Sequence, residues 1–283
     1  MRVLNIDVPD SLATRWRQWL APDVQPFFVP RSHPHLRSLP AQELTPELRD
    51  TFRTYALPRA LRTLFLDEPA FLDLPRDARA ALVRAQVVQG RGAVPTVRGW
   101  CDLIDASLLR AQADGHRFVW WASLVDQAGD AVFERLIGRG LRPSRHRAVS
   151  VSAWRKSASR APRAQTLAGT FARGSGPNCF GAVMGACGES GAENDWVQQA
   201  QFESWLAGHA RPGGRDVRPG TILVWRDGGG VARHAALTLA GGWGFEKPSQ
   251  EWSTPFMVLP LTEIVRANRS RGIRLERWRP AAG

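Results

Sequence analysis

Lysine is almost missing from this chain: of 38 basic residues only Lys156 and Lys247 are lysine, and the rest are arginine. A skew of that kind follows genomic base composition, so the basic balance is not in itself a functional signal. Cysteine is sparse too. Cys101, Cys179 and Cys187 form an odd set with no C-x-x-C pair, which argues against a disulfide framework and against a zinc ribbon. The opening MRVLNIDVPDSLATRW has no basic stretch leading into an apolar core, so no secretory signal is expected. The most apolar run, FVWWASLV at 118–125, is far too short to span a bilayer. No internal repeat stands out. The HPH at 33–35 is too sparse for a metal site, and Gly90-x-Gly92 is not followed by the Lys-Ser/Thr of a phosphate loop. The expectation is a protein of the reducing cytoplasm with no cofactor, no metal and no membrane contact.

What is present suffices for real cores. The 283 residues are 43% apolar, with twelve Trp and twelve Phe, and the length suits two domains. The formal charge of +12 is unevenly spread. Nine basic residues and no acid lie between Arg135 and Arg163, and residues 266–279 hold six arginines against Glu276. Such stretches attract phosphate-bearing polymers through counterion release, or are a solvated linker and tail. Nucleic acid is therefore a candidate partner through segments 135–163 and 266–279.

Residues 1–154 read as helices interleaved with strands, an α/β accessory domain. RVLNIDV alternates like a short strand, and SLATRWRQWL follows with helical spacing. Residues 21–44 are Pro-rich and irregular. TPELRDTFRTYALPRALRTLFL reads as a helix interrupted at Pro58, HRFVWWASLV as a buried strand and HRAVSVSAW as another strand. Residues 155–173, rich in Ser, Ala, Gly and Arg, are the expected basic linker. Residues 174–283 change order: helices at 179–187 and NDWVQQAQFESWLAGHA come first. The strands GTILVW, HAALTLA and WGFEKPS, a helix LPLTEIVRAN and a strand IRLERW follow. Helices followed by antiparallel strands make an α+β domain.

The stretch PNCFGAVMGACG carries the chemistry. It places Cys179 in the first turn of a helix, where unpaired N–H groups and the positive helix end favour a thiolate. Cys187, at the other end, reads as packing. Glycines inside a helix cost about 1 kcal/mol each, so close approach of this helix to a sheet is expected. Among six histidines, His234 opens a strand straight after the turn DGGGVAR, where its ring can project toward a helix end.

PNCFGAV, then RPGTILVW, then HAALTLAGGWGFEK, resembles the NlpC-type branch of papain-like cysteine hydrolases, over about 174–265. That family reads Asp-Cys-Ser-Gly, then Pro-Gly-Asp before a strand, then His-x-Gly-x-x-x-Gly before a final polar residue. Here Asn178 replaces the Asp, Phe180 the Ser, and Thr221 the Asp after Pro-Gly. Family members are mostly exported endopeptidases acting on cell-wall peptides, whereas this chain shows no export signal. The resemblance implies a papain-like domain with its helix packed on an antiparallel sheet. It also implies Cys179 as nucleophile, His234 as base and a third member at Glu246.

The hairpin tests that third member. A two-residue loop at Gly241-Gly242 would put His234 on one face with Phe245, Lys247 and Ser249. A three-residue loop through Trp243 would put Glu246 opposite Thr238, on the face of His234. A carboxylate suits the orienting role. Glu246 is favoured, with Asn178, Lys247 and Ser249 as candidate substrate contacts. The expected activity is cleavage of an amide bond, in a peptide or peptidoglycan-type peptide, or a related acyl transfer. The alternative is a basic nucleic-acid-binding protein on a non-catalytic papain-like scaffold. Residues 89–144 faintly resemble the later half of a GNAT-type acetyltransferase, with Phe133 where that family often has a tyrosine; an ordinary accessory domain is the other reading.

Overall fold

Leu4 and Asn5 both sit at positive φ, 52° and 64°, the backbone that closes a two-residue hairpin. They join strands β1 (Arg2–Val3) and β2 (Ile6–Asp7). The computed structural model describes residues 1–33, 38–58 and 60–281; His35 lies outside them. By internal contacts the chain divides into Pro9–Leu136 and a second unit of Ile137–Gly283 together with Arg2–Val8. The contact division thus falls at 136/137, ahead of the 154/155 boundary read from composition. A composition shift marks a change of residue usage, and a domain is defined by who packs on whom.

In the first unit, helix α1 (Asp10–Leu20) buries Leu12, Ala13, Trp16 and Leu20 on one face. Strands β3 (Val24–Pro30) and, after helix α2 (Pro46–Phe52), β4 (Leu61–Asp67) pair antiparallel. Residues 24–30 are thus strand within the span read as irregular. The helix expected to continue past Pro58 stops at Arg53, which adopts a left-handed φ of 54°. Helices α3 (Glu68–Leu72), α4 (Arg76–Val88), α5 (Ala106–Gln112), α6 (Ala122–Ala128) and α7 (Ala131–Gly138) follow. Phe27, Leu64, Phe71, Leu82 and Trp121 share one core. The expected strand HRFVWWASLV is an extended buried stretch running into α6. A run apolar at every position has no period, and nothing local separates strand from core segment.

In the second unit, α8 (Val151–Ala158) replaces the strand expected at HRAVSVSAW. The Ser150 hydroxyl accepts from the Ala153 amide at 3.2 Å, capping the helix, and Ala153, Trp154 and Ser157 are buried at helical spacing. Helix α9 (Ala164–Leu167) and strand β5 (Thr170–Phe171) give the 155–173 segment regular structure. Then come α10 (Cys179–Ala186), α11 (Gln199–His209), β6 (Ala210–Pro212), β7 (Ile222–Arg226), β8 (Ala232–Leu239), β9 (Trp243–Glu246), β10 (Pro255–Pro260), α12 (Leu261–Ala267) and β11 (Arg274–Pro280).

Seven strands form one antiparallel sheet in the order β5-β10-β9-β8-β7-β11-β6. Alternating residues serve its two faces. Val224, Ala235, Leu237, Phe245 and Val258 join the cluster that contains α10, while Trp225, Ala236, Met257 and Leu259 pack with Leu261 and Ile264 of α12. The protein is thus mixed α+β with antiparallel sheets. Among the described residues no helix is long and apolar enough to cross a membrane.

Candidate active site

Every residue of α10 is buried, and Cys179 is its first residue. Asn178 is the N-cap: its side-chain oxygen accepts from the Gly181 amide at 3.0 Å, and its amide nitrogen donates to the Val197 carbonyl at 2.8 Å. The residue proposed as a substrate contact thus fixes the helix start that presents the sulfur. The helix glycines have a different neighbour from the one expected. A Cβ on Gly181 would lie 2.3 Å from the Ala192 carbonyl oxygen, and one on Gly185 would lie 2.8 Å from Cβ of Glu193. They admit the 192–195 turn, which Arg163 pins by a two-pronged ion pair to the buried Glu193 carboxylate. Sequence spacing shows that a helix face is small; it does not show what fills the space.

His234 enters from β8 at an irregularity in the sheet. Trp225 pairs with His234 but Arg226 pairs with Ala232, so Arg233 is an extra, bulged residue. Arg233 is exposed and bonds Asp227, while His234 turns inward with its ring 5.3 Å from that of Trp225. The following hairpin pairs Leu239 with Trp243, Thr238 with Gly244 and Leu237 with Phe245. Its loop is Ala240–Gly241–Gly242, three residues but one position earlier than the three-residue alternative considered above. Gly241 and Gly242 take φ of 79° and 78°, which only glycine adopts freely. This register sets Glu246 opposite Ala236, on the same face as His234. The carboxylate Oε2 meets the ring Nε2 at 2.9 Å.

The site is almost closed to water: Cys179 is 7% exposed, His234 9% and Glu246 4%. Burial alone would push the His234 pKa down, but the neighbouring Cys179 and Glu246 side chains outweigh it and raise it to about 10. The ring therefore holds its proton through the neutral range. Nε2 is committed to Glu246, and Cys179 is the other side chain that acts on the ring. Asn268, just past α12, donates to the Glu246 carboxylate at 3.4 Å and to the Ile264 carbonyl at 3.0 Å. Asn268 and Trp225 have no local motif; only the sheet register and the α12 end bring them in.

Lys247 and Ser249 are placed elsewhere. The Lys247 side chain is fully buried, and its ammonium donates to the carbonyls of Ser249 (2.6 Å) and Glu251 (3.1 Å) and to the Thr254 hydroxyl (2.8 Å). The Ser249 hydroxyl accepts from the Glu251 amide at 3.2 Å. Both residues thus shape the 247–254 loop. That loop in turn holds the approach to Cys179: the Gly176 amide donates to the Gln250 carbonyl at 2.9 Å, and the Trp252 amide to the Ser175 hydroxyl at 3.2 Å.

Burial raises the Cys187 thiol pKa to about 12, so it stays protonated. In the arginine-rich segments, Arg135, Arg142, Arg147, Arg163 and Arg277 form ion pairs with Asp102, Glu263, Asp7, Glu193 and Asp216. Acids distant in sequence thus take up part of the charge that looked unopposed along the chain. Compared with family models, curated proteins and solved structures, the chain matches none.

Proposed function

We propose that the second unit is a cysteine hydrolase of papain-like, NlpC-type arrangement that cleaves an amide bond. The observation that carries this reading is the His234 ring held by Glu246 at Nε2, 2.9 Å away, with Cys179 as its other interacting side chain at the start of a buried helix. An imidazolium so placed stabilises a thiolate, and a helix N-terminus favours the same charge. In the proposed reaction the Cys179 sulfur attacks the carbonyl carbon, and His234 gives its proton to the departing nitrogen. Water, deprotonated by His234, then attacks the acyl-sulfur bond and releases the acid and the thiol. The Cys179 backbone N–H, at the helix start, serves as one donor to the oxyanion. An acceptor other than water would make the same steps an acyl transfer.

Alkylation tests the reading without a known substrate. In a Cys101→Ser background, iodoacetamide should modify Cys179 at pH 6 far faster than Cys187, and His234→Ala should slow that reaction. Cys179 reacting no faster than an ordinary thiol, or indifferent to His234→Ala, would remove the proposal.

A further inference from the structure

The end of β8 away from His234 borders a second concave site, in which every charged side chain among the described residues is arginine. Arg160, Arg211, Arg215, Arg218 and Arg279 line a hollow of about 630 Å³, floored by Thr221, with no Asp or Glu side chain among the described residues of its wall. They come from four separate places in the second unit: the end of α8, β6, the 213–219 loop and β11. Folding therefore assembles the cluster, which is not a charge run in the sequence. The nearest acid along the chain, Asp216, is committed to Arg277 through two bonds of 2.6 and 2.9 Å. The guanidinium groups of Arg215, Arg218 and Arg279 make no hydrogen bond or ion pair with any described residue.

The hollow's shape is fixed by backbone. Gly220 has a φ of 83°, and a Cβ there would fall 2.4 Å from Cβ of Arg160, so glycine lets the Arg160 stem lie against the loop. A Cβ on Gly214 would fall 2.4 Å from the Thr221 methyl carbon. The Thr221 hydroxyl donates to the Arg215 carbonyl at 2.8 Å, and the Thr238 hydroxyl to the Arg218 carbonyl at 2.6 Å, holding the loop that carries both arginines. Five like charges around one concavity repel one another, and a multivalent anion relieves that repulsion. Guanidinium forks match phosphate oxygens two at a time. The volume suits a small molecule rather than a polymer.

We propose that this hollow binds the phosphoryl groups of a small polyphosphate, free or carried on an organic molecule. An adjoining hollow of about 340 Å³ shares Arg160 and Pro280 with it and is lined by Trp205, His209 and Ile222. One side of it offers the organic part an aromatic wall, the Trp205 and His209 rings stacked at 5.2 Å, while Ser159 and Glu189 make the rest of its lining polar.

Calorimetric titration of the full chain with inorganic tripolyphosphate and, separately, with ATP tests the proposal at two salt concentrations. Both should bind, and binding should weaken as salt rises. Arg215→Ala and Arg218→Ala, both exposed, should each weaken tripolyphosphate by about tenfold, the size of one charge-assisted hydrogen bond. Arg155→Ala with Lys156→Ala, on exposed charges outside the hollow, should leave it nearly unchanged. ATP binding more tightly than tripolyphosphate identifies an organic polyphosphate; equal affinity identifies a free one. Absence of binding at low salt overturns the proposal. So does an equal loss in the Arg155/Lys156 variant, or a single-stranded oligonucleotide that binds tighter than either ligand and ignores Arg215→Ala.

Discussion

At the scale of the residue, His234 is the group whose surroundings decide most. Its pKa in the folded chain, about 10, stands above the ordinary value near 6.5. A group whose folded pKa is raised adds stability that is complete below the unfolded value and is lost as pH climbs through the folded one. The melting-temperature gap between the native chain and His234→Gln should therefore be widest near pH 6 and close toward about pH 10. Glu246→Gln keeps a hydrogen-bond partner but removes the charge. It should slow Cys179 alkylation and shift the pH profile of that reaction to lower pH, with little change in circular dichroism. Lys247 makes the opposite kind of prediction. Because its ammonium ties three loop acceptors together, Lys247→Met should lower the melting temperature by several degrees through unsatisfied buried carbonyls. A variant that kept its stability and lost only reactivity would place Lys247 in the chemistry instead.

At the scale of the element, α10 is an eight-residue helix that carries two glycines in its interior. Its glycines are retained because a neighbour occupies the space a side chain would fill. Gly181→Ala should destabilise the protein by about 1–3 kcal/mol of overpacking, which exceeds the roughly 1 kcal/mol of helix propensity gained. Gly208→Ala in α11, where no atom lies within 4 Å of the new Cβ, should be neutral or stabilising. Chemical denaturation of the two variants separates the effects. The elements of residues 179–280 were largely legible, because Gly-rich turns separate strands of plain β character. Elsewhere local pattern misled: Val-Ser-Val-Ser alternates like a strand, yet Ser150 caps a helix there. PFMVLP, bounded by prolines, gave no strand signal and is β10, tolerated because each proline sits at a strand end.

At the scale of the whole molecule, Arg2–Val8 belong with the second unit, more than a hundred residues on along the chain. The Ser144 amide donates to the Leu4 carbonyl at 2.9 Å, Arg147 pairs with Asp7, and Val3 and Ile6 are fully buried. Deleting residues 2–8 should cost the second unit a few kcal/mol, since burying each such side chain contributes about 1.5–3 kcal/mol. Hydrogen exchange in β10 and in the 144–148 turn reads that loss directly.

The sequence by itself determined that a thiol begins a helix of small residues, that a histidine lies near the start of a strand 55 positions later, and that a carboxylate lies twelve beyond; the strand itself begins two residues earlier than expected, at Ala232. These are local facts, carried by turn chemistry and residue size. Only the tertiary structure decided that a bulge at Arg233 turns the ring inward, that a loop of Ala240–Gly241–Gly242 sets the carboxylate beside it, and that Lys247 faces away. It also decided that five arginines from four segments meet in one hollow. Register, bulges and convergence are settled by which strands pair and which faces bury apolar surface, a free energy shared among residues far apart in the chain.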